Sequence, residues 1–460
     1  LASAMLMALS GIPRVVGAHL TEDGAFVLRG DWTTYFFTAV FNREYNDLNL
    51  CDITRQFAHE APPHRALVFE VTDEDRAEAA RLCAEAGAEQ APFLACFQLG
   101  ASEENKRWDP EHFAGLAQRL RAAYGAHILL VGVPEEAPLG ERMLQTAPGT
   151  ATPLYGRTRL PVLAALLERS HVLVTNDTGT MHIAAAVQCP VTLVSVGHVH
   201  YRETGPYGAG HVAVEWRRRL LGSGHHVPGG LEERSLVQPA HVLEAVRAVR
   251  HHRETGEVPQ LVDSETLHDI DLQMTDFAPD GCLEYYPLLK RPLTQRDLLR
   301  IAYRAMWLSR LTPDYATPEN EAASWARLLP CFDEPETGTL SDWVQRACEV
   351  FDGLAVLARR GLPLCDALLD ALSPPRDIAA ARARVAELMR LDEEARIYSE
   401  MNPETKLLIW LARYERDNLE GADPVLLAQT TRAIYEGLGA RAAATADKLR
   451  ALEAAWARCR

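Results

Sequence analysis

The chain has 460 residues, 47% of them hydrophobic and 24% charged, with a formal net charge of −16. That composition is ordinary for a globular protein with room for roughly two or three domains. The acidic balance argues against a nucleic-acid partner, because binding phosphate backbones needs a positive field. The apolar runs fall well short of the ~20 residues that cross a bilayer. Nine scattered cysteines without Cys-x-x-Cys spacing suit reduced thiols in a cytosol better than disulfides or structural zinc.

The first stretch, residues 1–88, reads as short α/β pieces. Met5 to Leu9 is apolar, but no basic leader precedes it, so it is not read as a signal peptide. Ala66 to Val71 is strand-like, and a helix is expected from about Asp73 to Ala86. Residues 89–255 then alternate apolar runs (Phe93 to Phe97, Ile128 to Val131, Val172 to Val174, Val191 to Val194) with helical segments. Such alternation predicts a mainly parallel sheet covered on both faces.

Three loops in this region carry chemistry. After the first run, Gly100 to Ser102 is a small-residue loop, followed by the cations Lys106 and Arg107, then Trp108, with Asp109 and Pro110 suited to open a helix. Lys106 offers a compact charge for a phosphate oxygen, or is a solvated loop lysine. After Val172 to Val174, the turn Asn176-Asp-Thr-Gly179 opens onto a helix holding His182. Unpaired N–H groups and the positive end of the helix dipole attract phosphate there; the plainer reading makes Asp177 or Thr178 a helix cap. Val194 to Gly197 followed by Gly205-Pro-Tyr-Gly208 is a strand end and a turn. His198/His200, His225–His226 and His251–His252 lack flanking ligands at metal spacing and are read as packing or surface residues. Arg217 to Arg219 is a small basic run, read as solvated surface. A helix from about Gln238 to Arg250 closes the region.

Residues 256–291 read as a linker. From 292 to 460 the pattern turns helical almost throughout: Leu298, Ile301, Ala302 and Ala305; Trp343, Ala347, Val350 and Leu354; then Leu407 to Tyr414 and Val425 to Trp456. Pro313, Pro318, Pro374 and Pro403 punctuate it. An all-helical domain, folding apart from the rest, is expected.

Taken in order, Gly100-Ala-Ser…Lys106-Arg-Trp108, Asn176-Asp-Thr-Gly-Thr-Met-His182 and Gly205-Pro-Tyr-Gly208 resemble the bacterial glycosyltransferases of family 9, the ADP-heptose:lipopolysaccharide heptosyltransferases. The resemblance runs from residue 1 to about 250 and strengthens from Pro92. It implies the GT-B form of the α/β class, two Rossmann-like domains facing across a cleft, here followed by a C-terminal all-α domain. It makes 1–88 a partial acceptor-side domain and 89–255 the donor-nucleotide domain. It implies donor-binding roles for Ser102, Lys106, Thr178, Gly179 and His182 near the diphosphate, Asp177 at the donor sugar, and Glu136 (or Glu135) at the ribose. A carboxylate at a helix N-terminus is the competing reading for Glu136.

The implied reaction is inverting transfer of a heptose or related sugar from an ADP-activated donor to a lipopolysaccharide-core or other saccharide acceptor. No metal or other cofactor is expected. The implied setting is cytoplasmic, at most peripheral on the inner membrane, with a lipid-linked saccharide as one acceptor option and a protein partner open to the helical domain. Leu1 to Gly11 enters the family pattern after its opening strand and Gly-containing loop, so the general base is expected in an N-terminal region missing from this chain. Asp31, Glu44 and Asp47 lie in the remaining half without one standing out. Two alternatives stay open: a non-catalytic sugar-nucleotide sensor or scaffold, and another GT-B enzyme such as a sugar-nucleotide epimerase.

Overall fold

The computed structural model describes residues 2–12, 14–21, 24–58, 66–217 and 233–460. The chain forms two compact units: Leu1–Pro62 together with Pro292–Arg460, and Pro63–Arg291.

The first unit is largely helical. A helix, Ala2–Leu9, precedes an antiparallel hairpin of β1 (Gly17–Leu20) and β2 (Phe26–Arg29), with Gly17 opposite Arg29. Helices Asp31–Ala39 and Leu50–Phe57 follow; Asn49 caps the second by accepting from the Cys51 N–H at 3.0 Å. The helix Gln295–Leu311 is the centre of the unit, buried along nearly its whole length, and opens with a capping box between Thr294 and Asp297. Around it lie Pro318–Leu328, Leu340–Leu372, Ile378–Met401, Lys406–Asp417 and Pro424–Cys459. The two longest pack closely because Gly361 lies under the Tyr435 ring, where a Cβ would come within 2.5 Å.

The expected partial acceptor domain at 1–88 is therefore not a body of its own, and the helical segment is not an independent one. Arg300 Nη1 donates to Asp47 Oδ2 at 2.7 Å and Nε to Asp297 Oδ1 at 3.1 Å, with all three side chains buried. The Tyr35 ring lies tilted against Trp307, centroids 5.0 Å apart, and its hydroxyl donates to Asn46 Oδ1 at 2.7 Å. Aromatic rings and a buried ion pair from both ends of the chain thus share one core. Ala66 to Val71 forms no strand; no other strand pairs with it, and Val68 is 90% exposed.

The second unit is built on an eight-stranded sheet. Its strands are β3 (Leu94–Gln98), β4 (His127–Leu130), β5 (Ala151–Pro153), β6 (Val172–Thr175), β7 (Val191–Ser195), β8 (Val212–Trp216), β9 (Ile270–Phe277) and β10 (Leu283–Pro287). Their spatial order is β10-β9-β8-β7-β6-β3-β4-β5. From β5 to β8 all pairs are parallel. Counted from β3, this is the doubly wound order 3-2-1-4-5-6, whose switch point falls between β3 and β6. β3, β6 and β7 are buried at every position, which explains their unbroken apolar runs. Helices Pro110–Tyr124 and Pro239–Thr255 pack together on one face; Asp73–Glu85 packs against Leu160–Arg169.

Residues 256–291 are not simply a linker. β9 runs antiparallel to β8 and β10 antiparallel to β9, extending the sheet by a hairpin. Its turn, Ala278-Pro-Asp-Gly-Cys282, has Gly281 at φ +83° and Asp280 accepting from the Cys282 N–H at 3.0 Å. Among the described residues no helix is long and apolar enough to cross a membrane.

The shared core generates a prediction. Asp47→Ala takes one of two carboxylate partners from the buried Arg300, leaving Asp297, and is expected to cost the helical unit about 1.5–3 kcal/mol, the scale of a hydrogen bond to a charged group. Hydrogen exchange should show residues 24–58 and 295–311 losing protection together while β3 to β8 keep theirs.

Candidate functional site

The loops after β3 and β6 emerge side by side at the switch point, where open α/β sheets leave a crevice beyond the strand ends. One side chain joins them. Asn176, fully buried, accepts from the Trp108 N–H at 2.9 Å and donates to the carbonyls of Leu99 at 2.9 Å and Gly100 at 3.2 Å. Trp108 is itself anchored, its indole N–H donating to the Val237 carbonyl at 2.7 Å. Arg107 holds the same loop from within, donating twice to the Ala101 carbonyl. Asn176 was legible only as part of a turn; its pairing with a distant loop left no local signal.

This frame sets Lys106, in a 3-10 turn from Glu104 to Lys106, against the turn after β6: Lys106 Nζ lies 3.6 Å from Asp177 Oδ2. Behind Asp177 the helix Gly179–Ala186 begins. Thr178 occupies its N-cap position, yet no side chain caps it, so the capping alternative for Asp177 and Thr178 does not hold. Thr178 Oγ1 instead sits 3.2 Å from Thr175 Oγ1. Above Gly179 the space is open, with nothing within 4 Å of a built Cβ. An uncapped first turn with clear approach presents N–H groups and the positive end of the dipole to an anion. His182 projects from the next turn with its side chain exposed. Desolvation beside the helix lowers its pKa from the usual imidazole value, with Asp177 opposing.

On the other side of the Gly100 loop, Glu136 turns inward while Glu135 is exposed. Glu136 Oε2 accepts from Gln98 Nε2 at 2.8 Å and from the Val133 N–H at 3.1 Å, and Gln98 Oε1 in turn accepts from Thr180 Oγ1 at 3.3 Å. The carboxylate lies over two glycines: a Cβ on Gly100 would come within 1.6 Å of Oε1, and one on Gly132 within 2.1 Å of Oε2. Glu136 thus ends the 3-10 turn Pro134–Glu136 and holds the N-cap position of the helix Ala137–Thr146 without capping it, its carboxylate lying against the Gly100 loop instead. Burial and the nearby Glu136 charge push the Tyr155 phenol above its ordinary range.

Other candidates are dispersed. Ser102 is exposed in the loop after β3. Asp47 is consumed by Arg300, and Asp31 sits exposed in the first turn of its helix. Arg217 pairs with Asp271 at 3.1 Å; the rest of that arginine run, and His225–His226, lie outside the described residues. His252 packs against Gly210 and His251 is exposed. Asn176→Ala would leave the buried Trp108 N–H unpaired, so a loss of about 2–3 kcal/mol is expected, measurable as a lowered urea midpoint of the sheet unit.

Residues 50–219 match the sequence model of glycosyltransferase family 9 (heptosyltransferase). The lipooligosaccharide heptosyltransferase 2 of Haemophilus influenzae is 38% identical over 90 residues, which is 19% of this chain and 26% of that protein. The chain therefore spans about a quarter of the length of the curated relative it matches. Two solved structures are also similar. One is the ADP-heptose lps heptosyltransferase II of E. coli, 24% identical, covering 41% of this chain and 54% of that one with a TM-score of 0.35. The other is a family 9 glycosyl transferase from Veillonella parvula, 20% identical, covering 45% and 61% with a TM-score of 0.40. The segment from residue 50 to residue 219 is thus similar in sequence to glycosyltransferase family 9 and to curated heptosyltransferases.

Proposed function

We propose that the chain transfers a heptose or related sugar from an ADP-activated donor to a lipopolysaccharide-core or other saccharide acceptor, with inversion. The observation that carries this reading is the meeting of Lys106 with the uncapped, open N-terminus of Gly179–Ala186 at the switch point. The names of the matched relatives supply the substrate class. The donor diphosphate would lie across Lys106, Thr178 and Gly179, with His182 beside it, Asp177 toward the sugar and Glu136 at the ribose hydroxyls.

In the reaction, an acceptor oxygen forms a bond to the anomeric carbon from the face opposite the nucleotide. The bond from that carbon to the diphosphate oxygen breaks, and ADP leaves with the electron pair. The acceptor proton passes to a general base expected on the acceptor side, for which no residue is assigned. Charge grows on the leaving diphosphate as the bond breaks, and preorganised donors facing that charge lower the barrier. Lys106 and the helix N–H groups fill this part without a metal, so chelation by EDTA is expected to leave ADP binding unchanged.

A second reading, sugar-nucleotide binding without transfer, draws on one observation: residues 1–62 fold with the helices rather than as a Rossmann-like partner domain. Incubation with labelled ADP-heptose and a lipopolysaccharide-core acceptor separates the two. Labelled product supports transfer. Tight ADP binding without product favours the sensor, and absence of ADP binding removes both.

Lys106→Ala should cut transfer by about 100-fold, the scale of one lost charge-stabilising donor; the side chain is largely buried and paired with Asp177, so a small fall in melting temperature is expected beside that loss. The depressed pKa of His182 generates a pH prediction. Its imidazole therefore gains its proton at lower pH than an ordinary histidine. An imidazolium beside a diphosphate strengthens the complex, so ADP affinity is expected to rise as pH falls from about 7 to about 5. Calorimetry on His182→Asn should show that rise abolished.

A further inference from the structure

The loop after β7 contains a histidine that the donor site as described does not use. His198 is half-buried and reaches the turn that carries Lys106 with both ring nitrogens: Nδ1 lies 3.4 Å from Asn105 Nδ2, and Nε2 lies 3.6 Å from Glu103 Oε1. The two contacts agree on one tautomer. The amide N–H of Asn105 needs an acceptor, which places the ring proton on Nε2, directed at the Glu103 carboxylate. Among the described residues the Asn105 side chain has no other hydrogen-bond partner, and its Oδ1 is buried without one. The neighbouring backbone is in contact as well. Gly197 sits at φ +73°, and a Cβ there would come within 2.5 Å of the Asn105 carbonyl oxygen, so the loop approaches this closely only as glycine. Glu103 and Asn105 are the residues on either side of Glu104 in the turn ending at Lys106, whose own N–H donates to the Glu103 carbonyl at 3.2 Å.

We propose that His198 is a positioning residue: from the loop after β7 it sets, through Asn105 and Glu103, where the Lys106 ammonium meets a second phosphate, and so the preference for nucleoside diphosphates over monophosphates. This rests on the donor-site reading above. Lys106 hangs from a one-turn helix with few bonds of its own, and a lysine on a flexible stem discriminates between phosphates only if its root is held. Arg234 steadies the same turn by donating to the Glu104 carbonyl at 2.8 Å, so His198 tunes the turn and does not create it.

The test is calorimetry on the full chain with ADP and AMP as the probes. Wild type is expected to bind ADP more tightly than AMP. His198→Ala should lower the ADP-to-AMP preference by about fivefold, the worth of one net hydrogen bond, with AMP affinity unchanged. His198→Gln, which can still accept from Asn105, should recover part of the preference, and Gly197→Ala should lower it by crowding the same carbonyl. In a Lys106→Ala background, His198→Ala should have no further effect. If wild type binds ADP and AMP equally, the donor-site reading fails and this inference with it. If wild type discriminates while His198→Ala keeps the full preference, weakens AMP as much as ADP, or adds independently to Lys106→Ala, the donor site stands and the positioning role is overturned.

Discussion

One buried amide governs the arrangement of the crevice. Asn176 satisfies a donor and two acceptors on a loop 68 to 77 residues away in sequence, and it does so at the point where the sheet changes winding direction. An amide is the side-chain type that donates and accepts at once; a carboxylate would face two carbonyl oxygens and a hydroxyl lacks the span. Because the pairing is buried, the loops after β3 and β6 have one low-energy registration. Lys106 and the Gly179 helix terminus inherit it, which converts two ordinary loops into a preorganised pair.

The helical unit obeys a different constraint. Its central helix, Gln295–Leu311, turns Arg300 and Arg304 inward, and both reach Asp47, one to its carboxylate and one to its carbonyl. Burying guanidinium groups is costly unless each is paired, so the N-terminal segment carrying Asp47 completes the helices electrostatically as well as by packing. Residues near one end of the chain and residues beyond 292 are thus a single folding problem.

Sequence patterning exposed what is locally encoded. The buried runs of β3, β4, β6 and β7 stand out because strands covered on both faces are apolar throughout, and the helices stand out by their period. The turn at Asn176 to Gly179 was legible because glycine and a strand end announce it. The hairpin of β9 and β10 was missed although Pro279-Asp280-Gly281 is a strong turn signal and Ile270, Leu272 and Met274 alternate with Asp271, Gln273 and Thr275 in the period of a strand. The joining of residues 1–62 to the helices was not legible at all, since the Asp47–Arg300 pair spans 253 positions and neither residue advertises the other. Likewise, the preference for Glu136 over Glu135 came from the resemblance; its seat against Gly100 and Gly132 joins loops that the sequence does not show as neighbours.

The eight-stranded sheet also has borders, and both end in proline. β5 is three residues long and finishes at Pro153; β10, beyond the added hairpin, finishes at Pro287. A sheet border offers unpaired N–H and C=O groups that can recruit a foreign strand, and proline removes the donor while brevity shortens the template. Without the hairpin, the apolar strand Val212–Trp216 would itself be a border. By pairing with that strand, β9 removes the border from it, and β10, buried at every position, completes the hairpin, so this addition to the doubly wound order acts as a guard against self-association of the sheet.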